Sequence, residues 1–225
     1  MPSFDIVKKN DLQQSFKVSK VMADFDVGDE HIGEHFVGNI DYPKDWQIGL
    51  IVGGSGTGKS TIAKELYKEY IVDDFEYPDK PVIESIPCKN VEELEKMFYA
   101  VGFGSVPSWL KPYSVLSNGE KMRVDLARQI LTKDFIIFDE FTSVVDRQVA
   151  QVICIALKKA LKRYPEKKFV AVGCHHDVIE YLQPDWCFST DNMQQVFQFP
   201  HEEKKNLQSK DVQSLSGENL GVIII

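Results

Sequence analysis

Two short segments hold residue types whose spacing can do phosphate chemistry. Gly53-Gly54-Ser55-Gly56-Thr57-Gly58-Lys59-Ser60 fits the pattern G-x-x-x-x-G-K-[ST]. Its glycines let the backbone curl so that successive N–H groups point at one phosphate. The positive end of the helix that must follow adds to that field. Lys59 is expected to reach the β- and γ-phosphates of a nucleotide, Ser60 to ligate Mg²⁺ and Thr61 to meet the α-phosphate. The second segment, Phe135-Ile136-Ile137-Phe138-Asp139-Glu140, is an apolar run that ends in two carboxylates. Asp139 can hold the water shell of Mg²⁺, and Glu140 can polarise a water in line with the γ-phosphate.

A phosphate loop needs a strand before it and a helix after it. Ile48–Val52 (IGLIV) is apolar without alternation, the pattern of a strand buried on both faces. Ser60–Tyr70 reads as the helix. Phe135–Phe138 and Phe169–Cys174 repeat the buried-strand pattern, and helices are expected over Val91–Val101, Asn118–Leu131, Asp146–Tyr164 and Asp177–Leu182. Strands are also expected over Ser15–Val27, Phe36–Ile40 and Pro81–Ile86, with Gly102–Pro112 a loop and Trp186–Thr190 and Gln195–Phe199 a closing hairpin. Strands and helices alternate, which predicts an α/β fold with a mostly parallel sheet flanked by helices. Residues 1–200 are expected to form this domain, and the polar, aperiodic 201–225 a mobile tail ending in an apolar Gly221–Ile225.

Composition narrows the function. The chain has 225 residues, 43% hydrophobic and 27% charged, as expected of a soluble globular protein. Its net charge of −8 lacks the footprint of a dedicated nucleic-acid binder. No stretch is apolar enough to span a bilayer, and the first residues lack a signal-peptide core, so a cytoplasmic protein without membrane insertion is expected. Cys88, Cys154, Cys174 and Cys187 show no metal-ligand spacing and sit in apolar contexts, which reads as reduced core thiols.

A phosphate loop alone suits kinases, GTPases and motor ATPases equally; the segments between decide. Leu116-Ser117-Asn118-Gly119-Glu120 runs into Arg123-Val124-Asp125-Leu126-Ala127-Arg128. This resembles the signature motif and helix of the ATP-binding-cassette (ABC) ATPases, with Asn118 and Glu120 at positions of Gly and Gln. Locally, Ser117 is also a helix N-cap with Glu120 completing a capping box. Phe141-Thr142-Ser143-Val144-Val145-Asp146 resembles the D-loop, and His175-His176-Asp177 the switch-histidine loop. The resemblance implies ATP and Mg²⁺ as ligands and a P-loop fold of ABC type. It adds an N-terminal antiparallel β part and a small helical subdomain, about 84–133, that carries the signature. It further implies a site closed between two chains, either a homodimer or a pair with another ABC ATPase. Ser117, Gly119 and Asp146 would then serve the partner's nucleotide, and Glu140 with His175 or His176 the chemistry. His175 is the first residue off its strand; His176 is the one followed by Asp.

The sequence departs from the family in two places. No Gln stands near Pro81–Lys89, where Glu84 is the substitute, and Phe25 and Phe36 are the candidates for adenine stacking. These features are similar to small prokaryotic or phage ABC-type ATPases that stand alone or are fused to an acetyltransferase-like domain. Three functions follow. The first is a soluble ATPase whose closure acts on a protein or nucleic-acid partner. The second is the ATP-binding subunit of a membrane transporter. The third, a non-hydrolysing ATP-gated module, is disfavoured by Glu140.

Overall fold

Caps and apolar runs set the elements of the computed structural model, which describes residues 2–8, 15–26, 33–71 and 75–198. In chain order these are β1 (Ser3–Lys8), α1 (Phe16–Asp24), β2 (Glu34–Asn39), β3 (Ile48–Val52), α2 (Lys59–Leu66) and α3 (Val82–Ser85). Next come α4 (Val91–Ala100), α5 (Val106–Trp109), α6 (Asn118–Thr132), β4 (Phe135–Phe138) and α7 (Arg147–Leu161). The chain continues with β5 (Lys168–Gly173), α8 (Val178–Leu182), β6 (Trp186–Ser189) and β7 (Gln194–Gln198). The segment 201–225 lies outside the described residues.

The main sheet has the order β4-β5-β3-β6-β7. Its first four strands run parallel, and β7 closes it antiparallel to β6. Strand alternation divides the sheet's side chains between two cores. On one face Ile48, Leu50, Val52, Ile136, Phe169 and Ala171 pack with α4, α6, α7 and α8. On the other, Ile51, Ile137, Val170, Val172, Trp186 and Phe188 pack with α2 and with Phe4 and Phe36 of the antiparallel pair β1–β2. Both faces are covered, so the strands read as unbroken apolar runs. Gly49 is needed in β3 because a Cβ there would overlap the Trp186 ring. The α4–α6 region that carries the signature segment shares its core with the sheet, through Phe98, Trp109, Met122 and Leu126.

Four expectations are overturned, the first by α5 (Val106–Trp109), a helical turn inside the expected loop Gly102–Pro112. Residues of Ser15–Val27 form a helix, α1, not strands; Val27 itself lies outside the described residues. Ser15 caps this helix by accepting from the Val18 N–H at 3.3 Å, and local capping outweighs the β-branched content. Pro81–Ile86 is a single helical turn, because Val82 and Ile86 are buried against the helical region and Pro81 is bridged only to Pro112. Exposed Glu84 therefore does not end a strand. Of the cysteines, Cys154 and Cys187 are buried but Cys88 is exposed, because it lies in the irregular surface segment between α3 and α4. The antiparallel β part expected at the N-terminus is present, with β1 supplying a strand that the sequence reading did not assign.

Candidate functional site

The phosphate loop sits between β3 and α2, at the C-terminal edge of the parallel strands. Gly56 and Gly58 have φ of +81° and +86°, left-handed conformations open to glycine. A Cβ at Gly58 would also overlap the ring of Phe36, which packs beneath the loop. Phe36 is therefore core, while Phe25 is 74% exposed at the end of α1. Lys59 is only 8% exposed, and its ammonium donates to the Gly54 carbonyl at 2.5 Å. The Thr57 hydroxyl donates to the same carbonyl at 2.9 Å. Thr61 follows Ser60 in the first turn of α2.

Asp139 stands just beyond the end of β4. Its Oδ1 accepts from the Ser60 hydroxyl at 3.0 Å and from the Glu140 N–H at 2.9 Å. A hydroxyl and a carboxylate oxygen thus meet beside the loop, an oxygen set that suits Mg²⁺ completed by phosphates and water. Among the described residues no cluster of three or more His, Cys, Asp or Glu could hold a metal alone. Glu140 has φ +52° and Thr142 φ +63°, conformations that cost free energy for residues with a Cβ. The Phe141 N–H donates to the Val172 carbonyl at 2.8 Å, which fastens this strained turn to β5.

The signature segment is built differently. Ser117 caps α6: its hydroxyl accepts from the Glu120 N–H at 3.4 Å and donates to the Glu120 carboxylate at 2.9 Å. That carboxylate also accepts from the Ser117 N–H at 3.0 Å, completing the capping box. The Ser108 hydroxyl and then the Ser117 N–H hold the Glu120 carboxyl below the usual glutamate value. Gly119 lies against Val145 and Val149, so the α6 start packs beside Asp146. Asp146 caps α7 by accepting from the Val149 N–H at 2.9 Å.

The two histidines occupy the loop after β5. His175 makes no side-chain hydrogen bond among the described residues. His176 Nε2 pairs with Asp191 Oδ2 at 3.3 Å. Two polar residues next to the loop escaped the sequence reading. Asp191 Oδ1 accepts from the Gly54 N–H at 2.7 Å, and the Thr190 and Thr57 hydroxyls bond at 2.5 Å. They come from the β6–β7 turn, and no motif marks them; only the fold lays that turn on the phosphate loop.

No protein-family model matches the chain, and no curated protein matches it in sequence. Solved structures do resemble it. One is MJ0796, a bacterial ABC transporter cassette in a dimeric structure, at 15% identity and a TM-score of 0.51 over 69% of this chain and 87% of that one. The same cassette in a dimeric post-hydrolysis state with ADP and Pi gives 16% identity and a TM-score of 0.52, with the same coverage. MJ1267, another ABC transporter cassette, in its ADP conformation, gives 20% identity and a TM-score of 0.51 over 83% of this chain and 92% of that one. The fold is that of an ABC ATPase cassette, as the motifs implied. No helix among the described residues is long and apolar enough to cross a membrane.

Proposed function

We propose that this chain binds Mg²⁺-ATP on residues 53–61 and hydrolyses it at the interface of two chains arranged head to tail. Opening and closing of that interface would act on a protein or nucleic-acid partner. The observation that carries the reading is the convergence at Asp139, which accepts from both Ser60 of the phosphate loop and the Glu140 N–H. That convergence puts the candidate base next to the candidate metal ligands. Gly53 to Thr61 would wrap the phosphates, with Lys59 offsetting their charge. Ser60 and Asp139 would hold Mg²⁺, which when bound supplies charge neutralisation at the phosphates. Glu140 orients the attacking water and accepts its proton. The strained φ of Glu140, fixed by its neighbour's bond to β5, holds that carboxylate on a rigid turn. Ser117, Gly119 and Asp146 would close over the nucleotide of the second chain. The dimeric structures of a cassette of the same fold support a pairing of two chains. Residues 84–133 would act as the helical part of one domain, 1–200.

The test is Glu140→Gln. The amide is nearly isosteric, so binding should survive while turnover falls about 10²–10⁴-fold, or roughly 3–5.5 kcal/mol of barrier. Light scattering after size exclusion, with and without Mg²⁺-ATP, should show a dimer that accumulates in this variant. Wild-type phosphate release from the variant would remove Glu140 from the mechanism.

A second reading, the ATP-binding subunit of a membrane transporter, is favoured by the transporter cassettes among the structural neighbours. Co-purification of a polytopic membrane protein would select it over a free-standing ATPase.

A further inference from the structure

The histidine loop is held at two points, and neither involves His175. Asp177 directly precedes α8 but does not use its carboxylate to cap that helix. Instead the carboxylate takes both prongs of Arg147, Nε at 2.8 Å and Nη2 at 2.5 Å. Arg147 is the first residue of α7, immediately after the capping Asp146. A planar guanidinium gripping a carboxylate with two parallel bonds fixes orientation as well as distance. On the other side, His176 is paired to Asp191, and the second oxygen of Asp191 accepts from Gly54 of the phosphate loop. The floor beneath is close-packed: Gly173 at the end of β5 abuts the Phe141 carbonyl, and a Cβ there would meet it at 2.9 Å. The loop therefore hangs between the phosphate loop and the start of α7, with His175 its free side chain.

We propose that Arg147 and Asp191 are positioning residues. Through Asp177 and His176 they strap the loop so that His175, not His176, meets the γ-phosphate. The inference rests on the nucleotide site proposed above. Either anchor bonded alone would leave the loop a pivot; the two together hold it at both ends. They also tie its position to the residue following Asp146, which faces the second chain in the proposed dimer. The state of that interface would reach His175 through Arg147.

A residue that touches only the γ-phosphate affects ATP and leaves ADP alone. The experiment uses the full-length protein in the Glu140→Gln background and measures Mg²⁺-ATP and Mg²⁺-ADP affinities by calorimetry. The variants are Arg147→Ala, Asp191→Asn, His175→Ala, His176→Gln and the exchanged pair Arg147→Asp with Asp177→Arg. The expected result is that His175→Ala, Arg147→Ala and Asp191→Asn each lower the ATP-over-ADP preference about ten-fold, a coupling of ordinary allosteric size. ADP affinity should hold within about two-fold in His175→Ala and Arg147→Ala, and the exchanged pair should recover much of the preference lost in Arg147→Ala. An unchanged preference in Arg147→Ala and Asp191→Asn overturns the proposal. So does a parallel loss of ATP and ADP affinity with a lowered thermal midpoint, which marks a structural role. A preference lost in His176→Gln but kept in His175→Ala also overturns it. A parent protein that binds neither nucleotide removes the proposed function itself, and the strap with it.

Discussion

The two edges that would clasp a nucleotide are made by different means. The phosphate-loop edge is held by the sheet. Lys59 is buried, Gly54 is gripped by Lys59, Thr57 and Asp191, and Glu140 keeps a strained φ through its neighbour's bond to β5. The signature edge is held by one helix terminus. Ser117 and Glu120 are bonded to each other and lie at the surface of the helical region. Strain and buried charge are expensive, and they persist where long-range packing over-determines the geometry. A capping box needs only four consecutive residues. The first edge is therefore held by contacts from across the sheet, and the second by contacts within one helix start.

The comparison is sharpest at Lys59. Replacement by Ala should weaken ATP binding on the order of 10²–10⁴-fold, taking two charge-assisted hydrogen bonds at about 1.5–3 kcal/mol each. Calorimetry in Mg²⁺ measures it, and unchanged affinity would sink the phosphate-loop assignment. On the other edge, Ser117→Arg should leave monomer affinity within about two-fold while cutting phosphate release about 10–10²-fold, since it removes one phosphate contact and adds a bulky cation. The lost cap should cost about 1 kcal/mol of stability, visible in a thermal melt. If this variant loses monomer binding as badly as Lys59→Ala, the two edges serve one nucleotide within one chain and the comparison fails.

The smallest effect concerns the capping box. Glu120 is charged and hydrogen-bonded in the fold, and its folded value lies below the ordinary 4.5. The sign follows from linkage: its stabilisation is fully present above 4.5 and fades as pH falls through the lowered folded value. Glu120→Gln should therefore melt slightly below wild type near neutrality, by about 0.5 kcal/mol or less after solvent screening. The gap should close on acidification. A gap that is flat with pH would mean the carboxylate charge contributes nothing to the cap.

The fold's centre was legible in the sequence because its signals are local and strong. A non-alternating run such as Ile48–Val52 has one good home, a strand covered on both faces. The G-x-x-x-x-G-K-S spacing fixes strand, loop and helix together, and Ser117 announces its helix as a cap. Legibility failed where local preference was weak. Ser15–Asp24 is β-branched enough to read as strand but took the helix that its cap allowed. Pro81–Ile86 became a turn because the burial of Val82 and Ile86 mattered more than backbone propensity.

What the sequence determined by itself was the set of candidate groups: the phosphate-loop motif, Asp139 with Glu140, and two histidines in a row. Tertiary structure alone decided who stands next to whom. Asp191 lies 137 residues from Gly54 along the chain and Arg147 30 from Asp177, yet each pair is bonded. Asp185 likewise reaches back to the Gln47 and Ile48 N–H groups and pins the start of β3. No spacing rule encodes such pairs. They follow from the order in which parallel strands lie down, which places the ends of β3, β4 and β5 and the β6–β7 turn along one edge. Side-chain type sets what a residue can do, and the sheet's register sets what it can reach.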